Sequence, residues 1–227
     1  SSSNDRVIYS TEHVLTSLCN SVTRVLTVAT QSQIQYSAMV QRITKTCLKP
    51  DIGCFVLFDG GFSGLVVINF SAAAAMEMYA SYMLSMGMAK DELASSHTSD
   101  EVSNVMGELM NQIVGDFTGK VARELQTHIT QNQPKMLALT KQVMLSVDTN
   151  LDKPEARRVT FFTGRNNIFY LELAIDRTEF IKLNDFESEE CDPDSLIEQA
   201  NSVNAAASPA KDGDASEQDD FLKSLGM

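Results

Sequence analysis

Glu108 and Asn111 stand one helical turn apart in a stretch where Val102, Val105, Met106, Leu109, Ile113 and Phe117 recur at helical spacing. Wound as a helix, those six apolar residues share one face, and Asn104, Glu108, Asn111 and Gly115 share the opposite one. A carboxylate beside a carboxamide can grip a cationic group and hold a water. The carboxylate only accepts hydrogen bonds, whereas the carboxamide both accepts and donates. The pair has no nucleophile of its own, and an exposed carboxylate is a weak general base. Gly107, Gly115 and Gly119 lie around it. Each glycine costs a helix interior about 1 kcal/mol relative to alanine, which solvation alone would not favour. Small residues around the pair predict a surface that another molecule approaches closely.

Other candidate chemistry falls away. Gly61-Phe62-Ser63-Gly64-Leu65 lacks the last glycine of a nucleophile elbow and sits in a hairpin. Gly119-Lys120-Val121 lacks the Ser/Thr and upstream glycine of a phosphate-binding loop. Cys19, Cys47, Cys54 and Cys191 show no C-x-x-C spacing, and His13, His97 and His128 lie far apart, so no metal site is expected. The methionines 76, 78, 83, 86 and 88 fall at helical spacing and are expected in a core or subunit interface. The net charge is −12, and residues 185–227 carry −10 of it, with twelve acids against Lys211 and Lys223. A nearly neutral body with a polyanionic tail has no basic face for nucleic acid. No run of about 18 apolar residues is present, so no membrane span is expected. The polar opening Ser1-Ser2-Ser3-Asn4-Asp5-Arg6 lacks the apolar region of a signal peptide, which predicts a cytoplasmic protein.

Glu108-Leu109-Met110-Asn111 is followed by 22 residues and then Pro134. That spacing resembles the E-x2-N-x22-P signature of the CheC/CheX/FliY phosphatases of bacterial chemotaxis, over about residues 8–182. One departure is Asn104, where the family pattern has Asp or Ser four residues before the Glu. CheC-type members carry a second E-x-x-N on the first helix, but the comparable stretch here is Ser17-Leu18-Cys19-Asn20, without the acid. A single site per chain is more similar to CheX.

The resemblance implies hydrolysis of the aspartyl phosphate on a CheY-like receiver domain. Phosphoryl transfer is catalysed chiefly by positioning an in-line water and stabilising charge, so the pair would suffice. In that reading Asn111 orients the attacking water, Glu108 binds the receiver's active-site Lys, and Pro134 sets the turn into the next strand. The protein needs no cofactor of its own, since Mg²⁺ is expected on the receiver substrate. The phosphorylated receiver is the expected partner, and because CheX relatives pair, a homodimer is a second. The alternative is a non-catalytic CheX-like adaptor in signalling or the flagellar switch.

The elements that must position these residues read as follows. A helix is predicted over 10–29 and a strand over 34–40. A hairpin, Gly53–Phe58 and Phe62–Phe70, turns at Asp59-Gly60-Gly61. Ser71 caps a helix through Ala72–Met86 that ends at Gly87. Thr98-Ser99-Asp100-Glu101 reads as a capping box opening the long helix, which runs to about Gln126 or His128. Strands follow at Met136–Val147, Arg158–Thr163 and Asn167–Ile175. The fold class is α+β, in the order α-β-β-β-α-α-β-β-β with helices packed on a sheet.

Residues 1–186 form this CheX-like domain and 187–215 read as a disordered acidic linker. In the peptide 216–227, Ser216 can cap a helix whose Phe221, Leu222 and Leu225 form an apolar edge beside Asp219 and Asp220. It resembles the C-terminal CheY-binding peptide of CheZ, which implies that Asp219, Asp220, Phe221, Leu222 and Leu225 bind the receiver.

Overall fold

The computed structural model describes residues 7–140, 142–147, 151, 154–176 and 180–182, and the fold below is that of the body Ile8–Phe180. After a short strand β1 (Val7–Tyr9) come α1 (Thr11–Thr30), β2 (Gln35–Ile43), β3 (Thr46–Leu48), β4 (Ile52–Gly60) and β5 (Gly64–Phe70). Then follow α2 (Ala72–Ser85), a 3₁₀ turn at Lys90–Glu92 and α3 (Asp100–Leu125). The chain continues with β6 (Ile129–Gln131), β7 (Lys135–Ala138), β8 (Leu145–Val147), β9 (Pro154–Phe162), β10 (Ile168–Asp176) and β11 (Phe180–Lys182).

The main sheet is antiparallel with strand order β2-β9-β10-β5-β4-β6, and β7 also pairs with β4. Strand alternation divides its two faces. Phe169, Leu171, Leu173 and Ile175 of β10 enter one core with Val66, Ile68 and Phe70 of β5 and with the buried faces of α1, α2 and α3. Glu172 and Ala174 point to the other face, where Leu48 of β3 and Val147 of β8 are buried too. There β3 and β8 form a small separate ribbon.

The predicted hairpin forms, but its turn lies at residues 61–63, because Asp59 and Gly60 extend β4 to pair with β6. Gly60 shows why the end of that strand needs glycine. Its φ is +140°, and a Cβ there would stand 2.0 Å from the carbonyl oxygen of His128. Ser71 caps α2 as expected, accepting from the Ala74 amide at 3.1 Å. Glu77 on α2 holds the β9–β10 turn, accepting from Thr163 Oγ1 at 2.5 Å and from Asn167 Nδ2 at 2.7 Å. Met78 is buried and Met76 and Met83 pack on the core, while Met86 is exposed.

Two further expectations are corrected. The capping box does not form: Thr98 Oγ1 shares a 2.7 Å hydrogen bond with Ser96 Oγ, and α3 starts at Asp100 behind Ser99, whose side chain makes no cap bond. The strand expected over Met136–Val147 is two strands in different sheets. β7 adds to β4, while β8 crosses to pair with β3. The expected linker and peptide at 187–227 lie outside the described residues.

Candidate functional site

α3 is fixed by its apolar face. Val102, Val105, Met106, Leu109, Ile113 and Phe117 are all buried, joined by Met110, Val114 and Val121. Phe117 meets Phe58 of β4 edge-on, with ring centroids 5.7 Å apart. α1 lies beside α3, and Arg24 of α1 pairs with Asp116 of α3, which also has Lys120 Nζ at 3.9 Å. This locks the rotation of α3, so Asn104, Glu108, Asn111 and Gly115 all face solvent.

Glu108 and Asn111 are not loose surface side chains. Tyr82 Oη of α2 donates to Glu108 Oε1 at 3.3 Å. Burial of the phenol, reinforced by the neighbouring Glu108 charge, pushes the Tyr82 pKa up, so it remains a donor. On the other side, Gln131 Nε2 at the end of β6 donates to Asn111 Oδ1 at 3.0 Å. Gln131 in turn accepts at Oε1 from Thr118 Oγ1 of α3 at 3.1 Å. Tyr82, Gln131 and Thr118 escape a reading of the sequence because each reaches the pair from another element or another turn. The one available signal was Gln131 standing three residues before Pro134.

Pro134 lies where the neighbour of β4 changes. β6 pairs with Phe58–Gly60 and β7 with Ile52–Phe55. Between them Asn132 keeps the ladder satisfied, its amide donating to the Leu57 carbonyl at 3.1 Å and its Oδ1 accepting from the Leu57 amide at 3.0 Å. Pro, which lacks an N–H, fits this break and ends the segment that carries Gln131. Of the three glycines, Gly107 would place a Cβ 3.8 Å from Met136 Cγ, an ordinary contact, and Gly115 and Gly119 would meet nothing within 4 Å. Nothing in the described chain therefore calls for glycine at 115 or 119.

The first helix carries a partial echo of this site. Asn20 is exposed on α1, and Tyr36 Oη of β2 donates to its Oδ1 at 3.3 Å. Ser17 and Asn20 line an open groove of about 680 Å³ with Lys120 and Arg123 of α3, but no acid stands at position 17. Among the described residues no group of His, Cys, Asp or Glu could hold a metal ion. Burial pushes the Cys19 thiol up to about 12 and the Cys54 thiol upward as well, which leaves both unreactive. No described helix is long and apolar enough to cross a membrane. Asp219, Asp220, Phe221, Leu222 and Leu225 lie outside the described residues.

A glutamate and an asparagine, each held on its inner side and open on its outer side, can grip a cation and orient a water. Comparison with known proteins bears on the fold. The model of a family described as Protein of unknown function (DUF3334) matches residues 5–227. No curated protein matches the sequence. A CheC-like superfamily protein from Shewanella sp. PV-4 superposes with a TM-score of 0.59 at 15% identity, over 72% of this chain and 97% of that one. The chemotaxis protein CheX from Desulfovibrio desulfuricans gives 0.58 at 15% identity, over 72% and 99%. The CheX–CheY–BeF3–Mg²⁺ complex from Borrelia burgdorferi gives 0.51 at 15% identity, over 72% and 97%. The likeness is one of fold, and it extends over nearly the full length of those proteins.

Proposed function

The chain belongs to the DUF3334 family, and we propose that its Glu108/Asn111 face hydrolyses the aspartyl phosphate of a CheY-like receiver domain. The observation that carries this reading is the pairing itself. The two side chains stand one turn apart on the exposed face of α3, with Tyr82 and Gln131 holding their inner oxygens. What supports the choice of substrate is the E-x2-N-x22-P spacing together with the fold, which is shared with a CheX solved as a complex with CheY.

Glu108 receives the ammonium of the receiver's active-site Lys. A charge-assisted bond of this kind contributes about 1.5–3 kcal/mol and sets the register of docking. Asn111 holds a water through its Nδ2–H and the remaining lone pair of Oδ1, in line with the scissile P–O bond. Water oxygen bonds to phosphorus, the bond to the receiver's aspartyl oxygen breaks, and inorganic phosphate and a free carboxylate leave. Mg²⁺ belongs to the receiver substrate and neutralises the phosphoryl oxygens. The protein's own contribution is positioning, which the exposed glycines permit by letting the receiver backbone close on α3.

The test is phosphate release from phosphorylated receiver domains of the host, with binding to the BeF3-loaded receivers measured alongside. Asn111→Ala should abolish the acceleration and leave binding nearly intact, whereas Glu108→Ala should damage both. An Asn111→Ala protein as active as wild type would overturn this mechanism. Wild-type binding without acceleration would make the protein an adaptor.

A further inference from the structure

Asn111 can serve a water productively only if its carboxamide presents a fixed end. Oδ1 and Nδ2 are nearly equal in size, the terminal torsion of Asn is broad, and shape alone does not choose between the two orientations. Here the choice is made by hydrogen bonding. Gln131 Nε2 donates to Asn111 Oδ1 at 3.0 Å, which turns Nδ2 away from β6 and leaves one Oδ1 lone pair free. Gln131 is itself an amide with the same ambiguity. Thr118 favours one orientation: its single hydroxyl proton can go to Gln131 Oε1 at 3.1 Å or to the Gly115 carbonyl at 3.4 Å, and the shorter contact is the one to Gln131. Thr118 is only 7% exposed.

We propose that Gln131 is a positioning residue that fixes the orientation of the Asn111 carboxamide, with Thr118 fixing Gln131 in turn. This relay rests on the hydrolytic reading given above and deepens it. Direction runs from the packed interior outward: a buried hydroxyl proton sets one amide, and that amide sets the next. The reacting end of Asn111 is thereby ordered before a receiver arrives, which is where positioning lowers a barrier.

The experiment measures kcat for phosphate release and Kd for the BeF3-loaded receiver in Gln131→Leu, Gln131→Glu and Thr118→Val. Each is made in the wild-type and Asn111→Ala backgrounds. Gln131→Glu is nearly isosteric and still accepts from Thr118, but it offers Asn111 an acceptor and so turns the carboxamide round. Both Gln131 variants should lose about tenfold or more in kcat while Kd stays within about twofold, and Thr118→Val should fall between them and wild type. In the Asn111→Ala background, where no acceleration is left to lose, Kd alone is read, and none of the three should move it by more than about twofold. Wild-type kcat in Gln131→Glu, or a Kd weakened about tenfold by Gln131→Leu in either background, would overturn the proposal. Should wild type accelerate no receiver at all, the hydrolytic reading fails, and the side-chain amide NMR signals of Asn111 decide the relay separately. Signals that are held in wild type and released in Gln131→Leu sustain it, and identical signals in the two proteins overturn it.

Discussion

Tyr82 and Glu108 meet across two helices, phenol to carboxylate at 3.3 Å, at the edge of the face that also presents Asn111. Because the Tyr82 pKa is raised, the phenol keeps its proton at neutral pH and holds the carboxylate in one rotamer. Tyr82→Phe should therefore weaken receiver binding about two- to fivefold, the cost of freeing one side chain, with kcat little changed. Titration against a BeF3-loaded receiver checks this. A kcat loss equal to that of Asn111→Ala would place Tyr82 in the chemistry instead.

Gly115 offers a separation of stability from activity. A Cβ there meets nothing within 4 Å, so Gly115→Ala should stabilise α3 by about 1 kcal/mol in chemical denaturation. Gly115→Leu should keep most of that gain yet raise KM about tenfold or more, because the larger side chain stands where the partner backbone must close. Unchanged KM in the leucine variant would show that the glycine is simply tolerated.

Glu172 provides a pH signature unrelated to the site. Its side chain is 0% exposed, and burial pushes its pKa up against the opposing pull of Arg158 Nη2 at 3.4 Å. A carboxyl whose folded pKa is raised binds its proton more tightly in the native state. Stability therefore falls as pH rises from the ordinary value of 4.5 through the raised one. Gln at 172 carries no such dependence. Relative to wild type, Glu172→Gln should gain stability with increasing pH, and urea midpoints taken at pH 5 and pH 8 would show parallel shifts if this is wrong.

The C-terminal peptide makes a kinetic prediction from sequence alone. If residues 216–227 hold the receiver through Phe221 and Leu225, they add to binding and take no part in the chemistry. Deleting residues 216–227 should raise KM while kcat stays within about twofold, since tethering supplies concentration and not chemistry. An isolated peptide covering 212–227 with no affinity for any receiver of the host would sink this.

The long-period signals were the legible part. Six apolar residues at helical spacing defined the buried face of α3 and, by difference, the exposed position of Glu108 and Asn111. α1, α2 and the β4–β5 hairpin followed from equally strong patterns. Short strands did not: Thr46–Leu48 and Ile129–Gln131 are three residues each, too few to establish a period. The capping box failed for a local reason, since Thr98 finds Ser96 before it can reach the amides of α3. Most of the site's support was invisible because Tyr82 and Gln131 lie 26 and 20 residues from the groups they hold. Contacts of that kind exist only once the helices and β6 are docked.

Asn20 and Asn111 share one further property, an Oδ1 bound by a residue of the strand that next follows each helix, Tyr36 in one case and Gln131 in the other. The surroundings of Asn20 thus repeat those of Asn111, and the two differ three residues upstream, where Ser17 stands against Glu108. Ser17→Glu would set a carboxylate one turn from Asn20 and give α1 the same pair of side chains that α3 presents.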